Sequence, residues 1–239
     1  MRALKIGHEG KDFSIVDREY EEYHGITLIT TSLNEQDYIV DFANHFRPVV
    51  KRIVLIDGGS LDKTVELAAP VVDYLNVVQY TGSHTNMLNY AMTHSYTDWT
   101  LLMDPDERIT DKLKGQLNNL IETEEFDAYS FPRREFLDGV ENKTVYPDYQ
   151  ARLFRTYCRF IRPIHQELVG YKKLHNVPMN EDLDMIHSKK SVRHHKRNGG
   201  YRCFEIHLKH EIGSPGCQLK DSFEKEYPQL KFNEREIVY

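Results

Sequence analysis

From residue 26 onward the chain repeats one pattern: a short run of β-branched and aliphatic residues, a polar loop, then apolar residues at helical spacing. The runs fall at residues 26–31 (ITLITT), 52–56 (RIVLI), 75–80 (LNVVQY) and 99–103 (WTLLM). Runs lacking polar alternation suit strands covered on both faces, and strands separated by helices pair in parallel through right-handed crossovers. The intervening helices are expected from Tyr38, Ile39, Phe42, Phe46 and Val49, from a start near Lys63, and from residues 85–94. The expected fold class is α/β: a Rossmann-like, mostly parallel sheet with helices on both faces.

The loops carry the chemistry. Ser32-Leu33-Asn34-Glu35 follows the first run, and Asp57-Gly58-Gly59-Ser60-Leu61-Asp62-Lys63-Thr64 follows the second. Two glycines permit a tight turn there, and Ser60 or Asp62 can cap the next helix. The fourth run ends in Asp104-Pro105-Asp106-Glu107. Ligands of open α/β sheets bind outside the carboxyl ends of the strands, where Asn34, Glu35, Asp57 and Asp104 converge. Pro105 lacks an amide donor, and Asp104 and Asp106 share one face if the strand runs on. Two hard oxygen donors suit Mg²⁺ or Mn²⁺ held largely through waters and diphosphate oxygens. The same residues equally suit an acidic loop capping the next helix, with Glu107 or Thr110 near its N-terminus. Neither a G-x-G-x-x-G fingerprint nor a G-x-x-x-x-G-K-[ST] loop occurs, so dinucleotide and ordinary ATPase readings drop.

Beyond the acidic turn, Leu113, Leu117, Leu120 and Ile121 predict an amphipathic helix over residues 111–122. Residues 127–137 and 141–156 read as strands around a turn at Asp138-Gly139, so the class shifts from alternating to α+β. His165 and Glu167 share a face if residues 164–168 form a strand, and a partly desolvated Glu167 can act as a base. His187 precedes a basic run from Lys189 to Arg202; it suits either a ligand or a hydrogen-bonded core histidine. The expected division is an N-terminal arm or edge strand (1–25), a nucleotide-binding half (26–123), a smaller mixed half on the acceptor side (124–213) and a charged tail (214–239).

A net charge of −6 over 239 residues excludes a general nucleic-acid binder. Cys158, Cys203 and Cys217 follow no metal-ligand or disulfide spacing, and neither a signal-peptide core nor a membrane-length apolar run is present. A cytoplasmic protein with reduced thiols is expected, and peripheral membrane contact only if its acceptor is a lipid.

Taken together, residues 26–35 and 53–64 resemble the first two strand-loop units of glycosyltransferase family 2, with their Thr-x-Asn-Glu loop and Asp-x-Gly-Ser-x-Asp-x-Thr turn. Residues 99–107 resemble its D-x-D strand. Within the family, residues 147–154 and 165–167 look similar to the Q-x-R-L-F and H-E segments of the lipopolysaccharide-core β-glucosyltransferase branch. The H-E pair reads His165-Gln166-Glu167 here, so Gln166 or Glu167 occupies the acid position.

The resemblance runs from about residue 26 to 195. It implies a GT-A fold, a nucleotide-diphosphate sugar donor such as UDP-glucose or a close relative, a divalent metal (Mn²⁺ or Mg²⁺), and inverting transfer to a glycan or glycolipid hydroxyl. It places Thr31, Asn34, Glu35 and Asp57 around base and ribose, Asp104 at the ribose or donor sugar, and Asp106 on the metal. His187 is implied as a further metal ligand, with Lys189, Lys190 and Arg193 supporting the diphosphate; Asn86 is a further donor-side candidate. Glu167 is the first choice for the base and Asp148 the second, while Glu107 is expected to be structural. The competing functions are a nucleotidyltransferase, which should need a basic loop after the first strand, and a noncatalytic sugar- or nucleotide-binding protein.

Overall fold

The computed structural model describes residues 4–8, 11–17, 23–78, 84–162 and 166–190. In chain order the elements are β1 (Leu4–His8), β2 (Lys11–Asp17), β3 (Tyr23–Ser32), α1 (Ile39–Phe46), β4 (Arg52–Asp57), α2 (Thr64–Ala68), β5 (Tyr74–Val77), α3 (His84–Met92) and β6 (Thr97–Leu102). There follow β7 (Glu107–Ile109), α4 (Asp111–Ile121), β8 (Ala128–Leu137), β9 (Val140–Glu141), β10 (Asp148–Arg155), β11 (Arg159–Ile161), β12 (Glu167–Val169), β13 (Leu174–Asn176) and β14 (Met185–Lys189).

The centre is the parallel run β5-β4-β3-β6, as the alternation of strand and helix predicts. It holds because both faces are covered: Leu28, Ile53 and Leu55 join the core beneath α1, α2 and α4, while Ile29, Val54 and Ile56 join a second core with α3. On one side β2 adds antiparallel to β5 and hairpins with β1, which makes the N-terminal segment an edge. On the other side β10 inserts antiparallel between β6 and β8, followed by β14 and β7. The turn at Asp138-Gly139 has positive φ at both residues, the two-residue geometry that favours Asp-Gly, and it joins β8 to β9.

Two junctions fix α4 and α1 against the sheet. Thr110 caps α4, its Oγ1 accepting the Leu113 amide at 3.3 Å, while Leu113, Leu117 and Ile121 bury one stripe. His45 on α1 accepts the Ile109 amide through Nε2 at 3.3 Å. Burial, reinforced by Lys114 and Arg108, pushes His45 down to about 4 and keeps it a neutral acceptor.

At the opposite end of the sheet from the acidic turn, His24 bridges Asp98 (2.8 Å) and Glu122 (3.2 Å). Its pKa is raised, chiefly by the hydrogen bond to Asp98. The stabilisation is therefore full below the unfolded-state pKa of about 6.5 and is lost as pH rises through the higher folded value. Since the ring is half exposed, solvent screening holds the effect under about 1 kcal/mol. The melting-temperature gap between the wild type and His24→Ala should be widest near pH 5.5 and close towards pH 8.5; a gap that widens with pH contradicts the assignment.

Candidate functional site

At the carboxyl ends of β3 and β4 the two loops are stapled to each other. The Asn34 amide donates to Ser60 Oγ (2.8 Å) and the Leu61 amide to Asn34 Oδ1 (2.8 Å), with Asn34 itself at φ 55°. The buried Glu35 donates its amide to Thr64 Oγ1 (2.6 Å). Asp62 accepts the Thr64 amide at 2.9 Å, although the N-cap position of α2 is Lys63, which makes no side-chain cap, so neither Ser60 nor Asp62 stands at the capping position expected of it.

Asp57 organises this corner from inside. It is fully buried; Ser32 and Ser60 hydroxyls donate to Oδ2, both at 2.6 Å, and the amides of Gly59 (2.9 Å) and Ser60 (2.7 Å) donate to Oδ1. Burial pushes its pKa up, and these four donors pull it back only in part. The carboxylate thus holds the glycine turn rigid, and its oxygens face the protein. Thr31 Oγ1 lies 2.6 Å from His84 Nε2, which ties the end of β3 to the start of α3.

The acidic stretch does not continue as a strand. β6 stops at Leu102, and a turn closed by the Glu107 amide on the Asp104 carbonyl (2.9 Å) carries Asp104, Pro105 and Asp106 into β7. Glu107, with 0 % of its surface exposed, is the anchor. Its Oε2 accepts the Asp104 amide (3.0 Å), and its Oε1 accepts from Arg152 Nη2 (2.7 Å) and Arg133 Nη1 (2.9 Å). Arg152 Nη2 also reaches Asp104 Oδ2 at 3.4 Å, and Arg133 grips Asp148 through Nε (3.0 Å) and Nη2. An alternating chain Asp104, Arg152, Glu107, Arg133, Asp148 thus crosses from the turn over β10 to β8.

Asp106 sits on the other side of the turn. Its carbonyl accepts the Ser188 amide at 3.0 Å, which pins β14 alongside and brings His187 Nε2 to 3.5 Å from Asp106 Oδ2. Both side chains are over nine-tenths buried. The two residues expected to share a metal, 81 positions apart, are therefore neighbours.

The model of the family described as "Glycosyl transferase family 2" matches residues 27–196. The chain belongs to that family. An uncharacterized glycosyltransferase of Rickettsia typhi is 22% identical over 166 residues, covering 67% of this chain and 54% of the relative. One of Rickettsia bellii is 22% identical over 165 residues, covering 66% and 54%. The chain thus spans about half the length of the curated relatives it matches. Among solved structures, Staphylococcus aureus TarS 1–349 in complex with UDP-GlcNAc superposes with a TM-score of 0.52 at 14% identity, over 86% of this chain and 72% of TarS 1–349. The fold is the GT-A fold of such transferases.

The other residues expected at the site lie on separate elements. Asn86 is exposed on α3. Lys189 Nζ pairs with Glu135 at 2.7 Å. Asp148 is engaged at both oxygens, by Arg133 and by Gln150 Nε2 (2.8 Å). Glu167 opens β12, half exposed, and pairs with Arg162 Nη2 at 2.9 Å. The β11–β12 hairpin that carries Arg162 and Glu167 is anchored on α3 by Asn89, which bonds both the amide and the carbonyl of Phe160. His165, Arg193 and the tail fall outside the described residues. Among the described residues no three His, Cys, Asp or Glu side chains form a metal cage, and no helix is long and apolar enough to cross a membrane.

Sequence reasoning missed Arg133, Arg152 and Glu135. Arg152 stood inside the Q-x-R-L-F segment, but nothing local tells which carboxylate an arginine meets across three strands.

Proposed function

We propose that this family 2 chain is an inverting glycosyltransferase that moves a hexose from a nucleotide-diphosphate sugar, UDP-glucose or a close relative, to a hydroxyl of a glycan or glycolipid. The resemblance of residues 147–154 and 165–167 to the lipopolysaccharide-core β-glucosyltransferase branch supports a transfer of that kind. The observation that carries the reading is the buried pairing of Asp106 with His187 beyond the carboxyl ends of the parallel strands. Two donors each about 2.1 Å from one ion stand about 3.0–3.6 Å apart at coordination angles of roughly 90–120°. The 3.5 Å separation suits such a pair, and one carboxylate with one imidazole favours Mn²⁺ over the harder Mg²⁺. A cation held there stabilises the charge that develops on the leaving nucleoside diphosphate. The UDP-GlcNAc complex of TarS supports a uridine donor by analogy of fold.

The chain's own residues divide the work. The stapled β3 and β4 loops, with Thr31, Asn34 and Glu35, form the wall for base and ribose, and the Asp57 turn keeps it rigid. Asp104, held by its amide and by Arg152, faces the donor sugar. Lys189 stands on the same strand face as His187 and adds positive charge near the diphosphate. Inversion requires a base opposite the leaving group, and Glu167 takes that part: Asp148 is held at both oxygens by Arg133 and Gln150, whereas Glu167 pairs with the exposed Arg162 and, being half exposed, gains the desolvation a base needs when the acceptor covers it.

The test is a titration with UDP-, GDP-, CDP- and TDP-sugars with and without Mn²⁺, following thermal stabilisation and nucleotide release. Mn²⁺-dependent stabilisation and turnover with a UDP-sugar is expected; metal-independent binding without turnover sinks the reading. For the base, Glu167→Gln should lose about 10²–10⁴-fold in turnover with donor affinity kept. Asp148→Asn should alter stability more than rate. If Glu167→Gln keeps full rate, Glu167 is not the base.

A further inference from the structure

The cation site has a second layer on β8. The parallel register of β8 and β14 sets His187 opposite Glu135, and the antiparallel register of β14 and β7 sets it opposite Glu107. The imidazole lies between a carboxylate of the acidic turn and one on β8: Nε2 is 3.5 Å from Asp106 Oδ2 and Nδ1 is 4.0 Å from Glu135 Oε2. His187 Nδ1 is buried and makes no hydrogen bond among the described residues. A shift of about 1 Å by the Glu135 side chain brings its oxygen to hydrogen-bond distance of Nδ1.

We propose that Glu135 is a positioning residue that accepts a hydrogen bond from the Nδ1–H of His187, keeping the proton on Nδ1, and so leaves the Nε2 lone pair aimed at the cation beside Asp106. The inference rests on the cation reading of Asp106 and His187. A neutral imidazole carries one N–H and one lone pair, and the partner of one nitrogen decides what the other presents. Asp106 is the nearer carboxylate, at 3.5 Å from Nε2; without Glu135 opposite, it would hold the proton on Nε2 and block the ligand atom.

Glu135 is itself held ready. Lys189 lies two residues beyond His187 on the same strand face, and its Nζ contacts Glu135 Oε2 at 2.7 Å. The ammonium at that distance favours the anionic form of the carboxylate, the form that accepts a hydrogen bond. Lys189 thereby acts on the cation site through Glu135 as well as by its own charge.

Two measurements test this in the 239-residue chain. In the first, Mn²⁺ is titrated in the presence of UDP and followed by electron paramagnetic resonance, so the readout is binding rather than turnover. Outer-layer partners of metal-bound histidines are typically worth 10–100-fold in affinity. Glu135→Ala is expected near the upper end, and Glu135→Gln, which preserves volume and an acceptor oxygen, near the lower end. In the second, ¹⁵N shifts of the His187 ring are recorded with UDP and diamagnetic Mg²⁺. The wild type should carry its proton on Nδ1, and Glu135→Ala should lose that signature.

Mn²⁺ affinity within twofold of wild type in both Glu135 variants, or a wild-type ring protonated on Nε2, overturns the proposal. His187→Ala separates the two readings. If it leaves Mn²⁺ affinity unchanged, the cation reading fails and the proposal with it. If it weakens binding while the Glu135 variants do not, only the role of Glu135 fails.

Discussion

Asp106→Ala is expected to lower metal-dependent turnover by about 10³-fold while the protein stays folded. A cation that neutralises a leaving diphosphate contributes several kcal/mol to the transition state, and about 4 kcal/mol corresponds to roughly three decades in rate. The fold should survive because the structural part of Asp106 is its backbone: the carbonyl that accepts the Ser188 amide remains in the variant. Removing the side chain also takes away a buried anion from beside His187. The measurement is kcat at saturating UDP-sugar across a Mn²⁺ series, with melting curves alongside. An unchanged Mn²⁺ dependence would remove Asp106 from the site. Asp104→Ala should differ in kind. Asp104 is held by Arg152 at 3.4 Å, while Asp106 is the carboxylate beside His187, so loss of Asp104 should fall mainly on KM for the donor and leave the apparent Mn²⁺ affinity near wild type.

The parallel core was legible because of how it is buried. Strands covered on both faces read as runs of largely aliphatic and β-branched residues without polar alternation, so 26–31 and 52–56 stood out, and the buried stripe of α4 did so by its spacing. The Asp57 turn was legible for a local reason: a strand end, two glycines and the helix-start residues Asp62 and Thr64 lie within eight residues. Non-local features were not legible. β7 has three residues and exists because β14 pairs with it from 76 or more positions further along the chain. The position of β10 between β6 and β8 is likewise a matter of pairing over long range. The acidic turn shows both sides of this limit. Its charge and the Thr110 cap could be read, and the two alternatives weighed for it turn out to be compatible, since one segment caps α4 and also carries Asp106. The premise that Asp104 and Asp106 share a strand face fails, because the strand stops at Leu102 and the turn sends the two carboxylates to different partners.

Glu107→Ala should be the most destabilising single change at this site, by about 3–5 kcal/mol, because it leaves buried guanidinium charge without its counter-ion. For a chain of this size that lowers the melting temperature by roughly 6–20 °C. The two arginines should not suffer equally. Arg133 keeps its double contact with Asp148, whereas Arg152 is left with Asp104 at 3.4 Å and an Nε that already makes no hydrogen bond among the described residues. Glu107→Ala combined with Arg152→Met should therefore recover part of the lost stability, and combination with Arg133→Met should not. Equal recovery in both would show that the charge is shared evenly along the chain of five residues. Arg152, released from Glu107, should also draw closer to Asp104, whose amide has lost its acceptor in the same substitution. Donor affinity in Glu107→Ala should then fall even at a temperature where the variant is fully folded. That loss would mark Glu107 as the residue that keeps Arg152 from neutralising the carboxylate meant for the donor sugar.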